Sequence, residues 1–368
     1  MTFCSRLHTA VLILTAMALP ASAETSSWVQ REPAGSVTGG KPVVAPKSSR
    51  SARAGEEKPP TRPAAPLKAA PKTAPAPGTE TGQARGAEAA YLAFDAGRFL
   101  TALALAQDAA NAGDPPAHTL VGRIYAEGLG VKKDEALAAK WYTRGAELGD
   151  VNAMFAIGLL LAEGRGVDKN AESAAAMFEQ AALTGHPQAN YNLGLMFLNG
   201  KGKPENPRRA FQHIEYAARQ GVAPAQYDVS AFYQQGVGTD ADAWEAARWM
   251  KAAAEQGMAV AEYEYAVMLL KGFGLKEDEF KAIQMMRSAA EKGVPGAQNR
   301  LAHIYREGLG VAPDPAEMAR WRIIARTGGI EDTALDGEVA KLPEKDREAA
   351  EAAAEKWIDR AQVNALVP

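Results

Sequence analysis

The sequence predicts an all-α solenoid, a stack of six helix-turn-helix units with a capping element at each end. Three observations predict it. A Gly-x-Gly turn recurs at Gly128/Gly130, Gly164/Gly166, Gly200/Gly202, Gly236/Gly238, Gly272/Gly274 and Gly308/Gly310, always at an interval of 36 residues. Four residues after the second glycine stands Asp or Asn: Asp134, Asn170, Asn206, Asp242, Asp278 and Asp314. Between the turns, columns of small and large residues keep helical spacing, and each unit closes on a glycine (Gly149, Gly185, Gly221, Gly257, Gly293 and Gly329). A fixed period of this length marks units that each bury a face only by stacking on a neighbour.

Residues 1–23 read as a cleaved signal peptide. Arg6 supplies the positive start, Ala10 to Leu19 is an apolar run too short to span a bilayer as a helix, and Pro20 ends it. Ala21-Ser22-Ala23 is a small-x-small cleavage site, so the mature chain is expected to begin at Glu24 in the periplasm or outside the cell. The single cysteine, Cys4, falls within the signal, which leaves a mature chain with no disulfide and no thiol nucleophile. The mature chain is expected to carry no transmembrane helix.

Residues 24–86 hold ten prolines and ten Lys/Arg against five Asp/Glu, with Trp28 the only aromatic. Such a composition buries too little apolar surface to offset the entropy of ordering, and it predicts a disordered linker. Its basic charge suits a spacer or a ligand for an anionic envelope polymer. Residues 87–368 carry 30 Lys/Arg against 39 Asp/Glu, so an acidic body follows a basic arm.

Residues 87–112 predict an N-terminal capping pair, with helices over Ala87 to Asp95 and Arg98 to Asn111. Residues 113–329 hold the six units. Their first helix, helix A, carries the small columns Ala117, Ala153, Ala189, Ala225, Ala261, Ala297 and Gly122, Gly158, Gly194, Ser230, Ala266, Ala302. Three residues after the second column come Tyr125, Leu161, Phe197, Tyr233, Leu269 and Tyr305. Glycine inside a helix costs about 1 kcal/mol against alanine, so close packing is the expected reason for it. The first turn glycine suits a left-handed helix end, and the second suits the reversal that lays helix B against helix A. The Asp/Asn column is expected to cap helix B, and Glu245 and Glu317 stand at the spacing of a capping box. Helix B has its own large column (Trp141, Met177, His213, Trp249, Met285, Trp321), followed four residues later by Gly or Ala, a spacing suited to a large side chain lying over a neighbour's small residue. Residues 330–368 predict C-terminal capping helices over Asp332 to Leu342 and Glu344 to Gln362. Ala349, Ala350, Ala353, Trp357 and Ala361 form the apolar stripe of the second.

These columns together resemble the Sel-one-like repeat, a relative of the tetratricopeptide repeat, over about residues 98–329. The resemblance implies a right-handed α/α superhelix that acts as a protein-interaction adaptor, with helix A lining the concave face. It implies no shared catalytic residues. The third unit, with His213 in the tryptophan column and Lys201-Gly202-Lys203-Pro204 in the turn, and the fourth, with Thr239-Asp240 in place of valine, depart most.

The residues offer little chemistry. The repeated Gly-x-Gly follows no strand and lacks a third glycine, so it is a hinge and no phosphate loop. Outside the signal the histidines are His118, His186, His213 and His303, scattered along the units without metal-ligand spacing. Serine-nucleophile motifs are missing, and aromatics do not interleave with basic residues as nucleic-acid binding requires. The chain is therefore expected to be no enzyme, with no cofactor, no metal and no nucleic-acid partner. One column stands out as a candidate partner site: Phe155, Tyr191, Tyr227 and Tyr263, flanked by Asn190, Gln226 and Gln234. It is read either as core between units or as an aromatic ladder for a protein or peptide. An accessory role in peptidoglycan or exopolysaccharide metabolism is the alternative function.

Overall fold

The computed structural model describes residues 86–366, which fall within one compact unit. The expected signal and all of the Pro-rich segment except Gly86 lie outside the described residues. Sixteen helices and no strand occur among the residues described. The capping pair is α1 (Ala87–Asp95) and α2 (Phe99–Asn111). The six A/B pairs are α3 (Pro115–Glu127) with α4 (Glu135–Glu147), α5 (Val151–Glu163) with α6 (Ala171–Leu183), and α7 (Pro187–Asn199) with α8 (Pro207–Arg219). They continue as α9 (Ala223–Gln235) with α10 (Ala243–Glu255), α11 (Ala259–Lys271) with α12 (Glu279–Glu291), and α13 (Pro295–Glu307) with α14 (Pro315–Thr327). The chain ends in α15 (Thr333–Ala340) and α16 (Glu344–Leu366). From α1 to α14 each helix packs on its neighbours in the chain, and α16 folds back onto α14, so the architecture is an α/α solenoid.

The start of the turn is built identically six times. The first glycine (Gly128, Gly164, Gly200, Gly236, Gly272 or Gly308) is left-handed, with φ between 62 and 79°. The backbone N–H of the following Asp or Asn then donates to the carbonyl of the large helix A residue, as in Asp134 to Tyr125 (2.9 Å) and Asp314 to Tyr305 (2.9 Å). The side chain of the same Asp or Asn accepts from the first turn of helix B in all six units. Two capping-box return bonds expected at Glu245 and Glu317 do not form. The cap N–H that would donate to them is already bonded to the Tyr233 or Tyr305 carbonyl, and the two carboxylates pair instead with Arg248 and Arg320.

The second turn glycine does more than reverse the chain. It is left-handed too, and in the four inner turns it rests on the start of helix B in the preceding unit. A Cβ on Gly166, Gly202, Gly238 or Gly274 would lie between 1.8 and 2.3 Å from backbone atoms of Glu135, Ala171, Pro207 or Ala243. The inner turns are thus inter-unit contacts, and glycine is the residue whose backbone can come that close.

The outermost turns correct the expectation of one role shared by every second glycine. Gly130 and Gly310 are exposed, and neither is seated on backbone. A Cβ on Gly130 would meet only side chains of the capping helix α2, Phe99 Cβ at 3.3 Å and Leu100 Cγ at 3.5 Å. The unit before it is the capping pair, which has no Gly-x-Gly turn of its own, and its second helix begins farther from the loop. A Cβ on Gly310 would meet the flexible end of one side chain, Ile283 Cδ1 at 2.5 Å, which can rotate aside. What demands glycine at these two positions is therefore the backbone, with φ 69° at Gly130 and 59° at Gly310, and not a close approach of units.

Inside each unit, helix A and helix B meet through a knob and a hollow. A Cβ on Gly122, Gly158 or Gly194 would lie 2.6, 2.7 or 2.5 Å from the side chain of Tyr142, Phe178 or Ile214. What fills the hollow is a helix B side chain, one position after the tryptophan column. Beyond the third unit the knob becomes Met250, Met286 and Arg322, and the hollow narrows to Ser230, Ala266 and Ala302. The small residue on helix B serves the next unit: a Cβ on Gly145 would lie 2.9 Å from that of Ala153. That is a close approach of small residues, where a large side chain lying over a neighbour's small residue was expected.

The ends differ from the repeats. In the last unit Arg322 is 1% exposed, and its guanidinium holds both Asp336 oxygens at 2.8 Å, Asn299 Oδ1 at 2.9 Å and the Ile330 carbonyl at 3.0 Å. These bonds fasten α15 to α13 and α14. On α16 the buried positions are Ala350 and Ala354 rather than Ala349 and Ala353, which are exposed. Trp357, one turn on, stacks edge-on to Trp321 and donates its Nε1–H to Glu291 at 2.9 Å. Ala350 and Trp357 keep their expected places in the stripe, while Ala354 takes the buried place expected of Ala353.

Candidate partner-binding surface

Helix A places Phe155, Tyr191, Tyr227 and Tyr263 at equivalent positions, and three of them show how the column reaches forward to the next unit. The Phe155 ring stacks on His186, with centroids 4.7 Å apart. The Tyr191 hydroxyl donates to Asp228 Oδ2 at 2.9 Å. Tyr263 packs over Gly296, where a Cβ would lie 3.3 Å from the ring. Tyr191 and Tyr227 are buried, while Phe155 and Tyr263 are half-buried. Of the two readings of this column, core holds at Tyr191 and Tyr227, and the exposed ladder does not. Burial, seconded by the Asp228 carboxylate, pushes the Tyr191 phenol far above its ordinary range. It therefore stays a hydrogen-bond donor at any physiological pH.

The flanking amides are also structural. Asn190 and Gln226 are buried. Asn190 Nδ2 donates to the His186 carbonyl at 3.0 Å, and its Oδ1 pairs with His213 Nδ1 at 3.0 Å. Gln226 Nε2 donates to the Ala218 carbonyl at 3.2 Å, and Oε1 accepts from Gln256 at 2.7 Å. Gln298 repeats the bond on the Ala290 carbonyl at 3.1 Å. Gln226 and Gln298 thus add a second donor to a carbonyl in the last turn of the preceding helix B, which already accepts the N–H of Gly221 or Gly293. Gln234, by contrast, is exposed.

His213 explains itself here. It occupies a tryptophan position because Asn190 faces it, and it lies parallel to Phe197 with centroids 5.7 Å apart. Burial, then the nearby Arg209 charge, lowers its pKa. His186 has a lowered pKa by burial as well, and its Nδ1 accepts from the Ala189 N–H at 3.1 Å as the cap of α7. Both are neutral imidazoles by role. Glu264, next to Tyr263, has its carboxyl raised by burial.

What helix A leaves accessible lies one turn beyond the aromatic column. Leu195, Ala231 and Val267 are half-buried, and Asn199, Gln235 and Lys271 beside them are exposed. These positions stand four and eight residues after Tyr191, Tyr227 and Tyr263, on the same helix face. Sequence reasoning passed over them, because an aliphatic column reads as core. The signal that could have found them is the polar column directly behind. Among the described residues no group of three or more His, Cys, Asp or Glu is placed to hold a metal ion, and no helix is long and apolar enough to cross a membrane.

The geometry is that of a repeat-built α/α solenoid, and comparison with known proteins agrees. The model of the Sel1 repeat matches residues 115–150, 151–186, 187–222, 223–258, 259–294 and 295–321, so the chain belongs to the Sel1 repeat family. Proteins built from these repeats typically mediate protein–protein interaction. A Sel1 repeat protein from Oxalobacter formigenes, solved by crystallography, is 29% identical, with a TM-score of 0.59 over 68% of this chain and 99% of that one. A second crystal structure is c5321, a protective antigen of uropathogenic Escherichia coli strains with this repeat fold. It is 26% identical, with a TM-score of 0.50 over 74% of this chain and 68% of that one. A search of curated proteins gave no match.

Proposed function

We propose that this chain is an exported, non-catalytic adaptor that holds a protein or peptide segment on its helix A surface. The observation that carries the reading is the accessible stripe Leu195, Ala231 and Val267, edged by Asn199, Gln235 and Lys271. An aliphatic strip with a polar margin, repeated at unit spacing, suits an extended chain that alternates side-chain insertion with backbone hydrogen bonding. The absence of catalysis is supported by the commitment of the six turn Asp and Asn side chains to helix caps. Export, to the periplasm or beyond, rests on the three-part signal at residues 1–23. The ten Lys/Arg of residues 24–86 favour a second reading, in which that segment binds an anionic envelope polymer.

The test is affinity capture from an extract of the exporting cell with the wild-type chain and with Ala231→Arg/Val267→Arg. The double variant should lose the specific partner while its circular dichroism spectrum at the capture temperature matches wild type, since both sites are only half-buried and an arginine head can reach water from them. Retention of the same partner by the double variant refutes the assignment of this surface.

A further inference from the structure

Helix B carries at its second position a residue that faces solvent in every unit: Ala136, Glu172, Arg208, Trp244, Phe280 and Ala316. Four of these are small or charged, as an exposed position ordinarily is. The fourth and fifth units instead hold Trp244, 61% exposed, and Phe280, 72% exposed. Phe273, 38% exposed, joins them from the fifth turn, which Gly274 seats directly on Ala243 and the Trp244 backbone nitrogen. Isolated exposed aromatics are ordinary, but three at one junction make a patch of the kind that marks an interaction site.

The charge around the patch is acidic. Asp240, Glu277 and Glu279 are exposed and form no ion pair among the described residues. Asp242 and Asp278 are the helix caps between them. Of the bases, Arg248 is held by Glu245 at 2.6 Å, lies over Trp249 and reaches the Trp244 ring, 5.8 Å from its centroid. Lys281 lies 5.5 Å from the Tyr265 ring centroid, and Lys276 is exposed. Asp240 also borders an open cleft of about 710 Å³ against Phe211 and Glu215, which extends the same edge toward the third unit and carries one base, Arg208.

We propose that the turn edge of the fourth and fifth units is a second docking surface, whose occupant is a basic, aliphatic-bearing extended segment of another protein. The exposed Trp244 ring, which already draws Arg248, attracts a further lysine or arginine head, the free carboxylates take more cations, and Phe273 and Phe280 take the aliphatic residues between. An anionic lipid surface fits poorly, because the same carboxylates repel its headgroups. This surface is separate from the helix A stripe, so the two proposals stand or fall independently.

The probe is a labelled dodecapeptide of four Lys-Pro-Leu repeats, with a Glu-Pro-Leu peptide as its counterpart, titrated against the full chain by fluorescence anisotropy. The lysine peptide should bind saturably and the glutamate peptide should not. Trp244→Ala/Phe280→Ala should weaken binding about tenfold or more, as loss of aromatic anchors does, with an unchanged melt. Asp240→Asn/Glu277→Gln/Glu279→Gln should weaken it and flatten its dependence on salt. Ala231→Arg/Val267→Arg should leave it unaltered. Equal binding of both peptides, absence of saturation, full binding by the aromatic double variant, or a preference for phosphatidylglycerol vesicles would each overturn the proposal.

Discussion

Replacing Gly274 by alanine probes how the units are joined. The residue has φ +70°, and an added Cβ would stand 1.8 Å from the Ala243 carbonyl oxygen, 2.3 Å from its carbon and 2.9 Å from the Trp244 nitrogen. Two costs follow. Holding alanine in the left-handed region costs about 1–2 kcal/mol. Overlap with backbone cannot be relieved by turning a side chain, and an overpacked contact adds about 1–3 kcal/mol. The whole substitution should therefore cost about 2–5 kcal/mol. Gly293 separates the two terms, because it has φ +89° and nothing within 4 Å of its added Cβ. Gly293→Ala should cost only the conformational part, about 1–2 kcal/mol. The assay is urea unfolding followed by far-ultraviolet circular dichroism, comparing midpoints at matched slopes. Hydrogen exchange should also rise at the junction of α10 and α11 in the Gly274 variant alone. Equal losses at the two glycines would refute the claim that the inner turn is an inter-unit contact.

Three further outcomes follow from the packing. Trp249→Ala should cost about 3–5 kcal/mol as a buried large-to-small change, measured by the same unfolding assay; Trp249 is 5% exposed among Tyr191, Ile214 and Phe232. Asp336→Ala should cost about 3 kcal/mol, the low end for a broken buried pair, because Asp336 is 34% exposed and water can reach the guanidinium left behind. Arg322→Met/Asp336→Ala should recover most of that loss, since Met250 and Met286 fill the same position in the two preceding units. Lowering the pH from 7 to 5 should lower the melting temperature. His186 and His213 have folded pKa values below the unfolded one, so their contribution is complete above about 6.5 and is lost as pH falls through that range. For His186 the cause is direct, because a protonated Nδ1 cannot accept the Ala189 N–H. His186→Ser, which keeps a capping oxygen, should flatten the dependence. A separate loss should appear below about pH 4, toward Asp332. Burial disfavours its ionisation, but bonds from Asn299, the Leu335 N–H and His303 prevail and hold the carboxyl at about 2.

Most of the fold was legible because it repeats. Six copies of a turn glycine ahead of an Asp or Asn leave one economical reading, and all six side chains cap helix B as that reading requires. The same regularity conceals differences at the ends. Gly130 and Gly310 look like Gly166, Gly202, Gly238 and Gly274 in sequence, yet they meet side chains where the inner four meet backbone. What else escaped depends on which of two neighbouring residues faces inward. The knob that fills Gly122, Gly158 and Gly194 sits beside the tryptophan column, and one position is 100° of helix. The alanine run of α16 hides its register for the same reason, since alanine at 354 or at 353 differs little in sequence. Glu245 and Glu317 had the right spacing, yet the cap N–H they would serve was taken by a tertiary bond that spacing does not reveal. The aromatic column was legible as a column, with core and ladder both open, because the partner that helps bury Tyr191 is Asp228 in the next unit. Asn190 and Gln226 looked like recognition groups, and their partners include His213 and Gln256 in helix B and its following loop, which no local pattern announces. Arg322, an arginine among methionines, was the plainest missed sign that the stack ends there and is fastened by α15.

The most direct measurement on the central claim is site-specific photocrosslinking in the living cell. A photoreactive residue at position 231 or 267 samples the helix A stripe, and one at Leu183, 83% exposed at the end of α6, samples surface outside it. The adaptor reading predicts one discrete protein adduct shared by 231 and 267, absent without ultraviolet exposure and not formed from 183. Identical adduct patterns from all three positions, or none from 231 and 267 while 183 yields one, would contradict it.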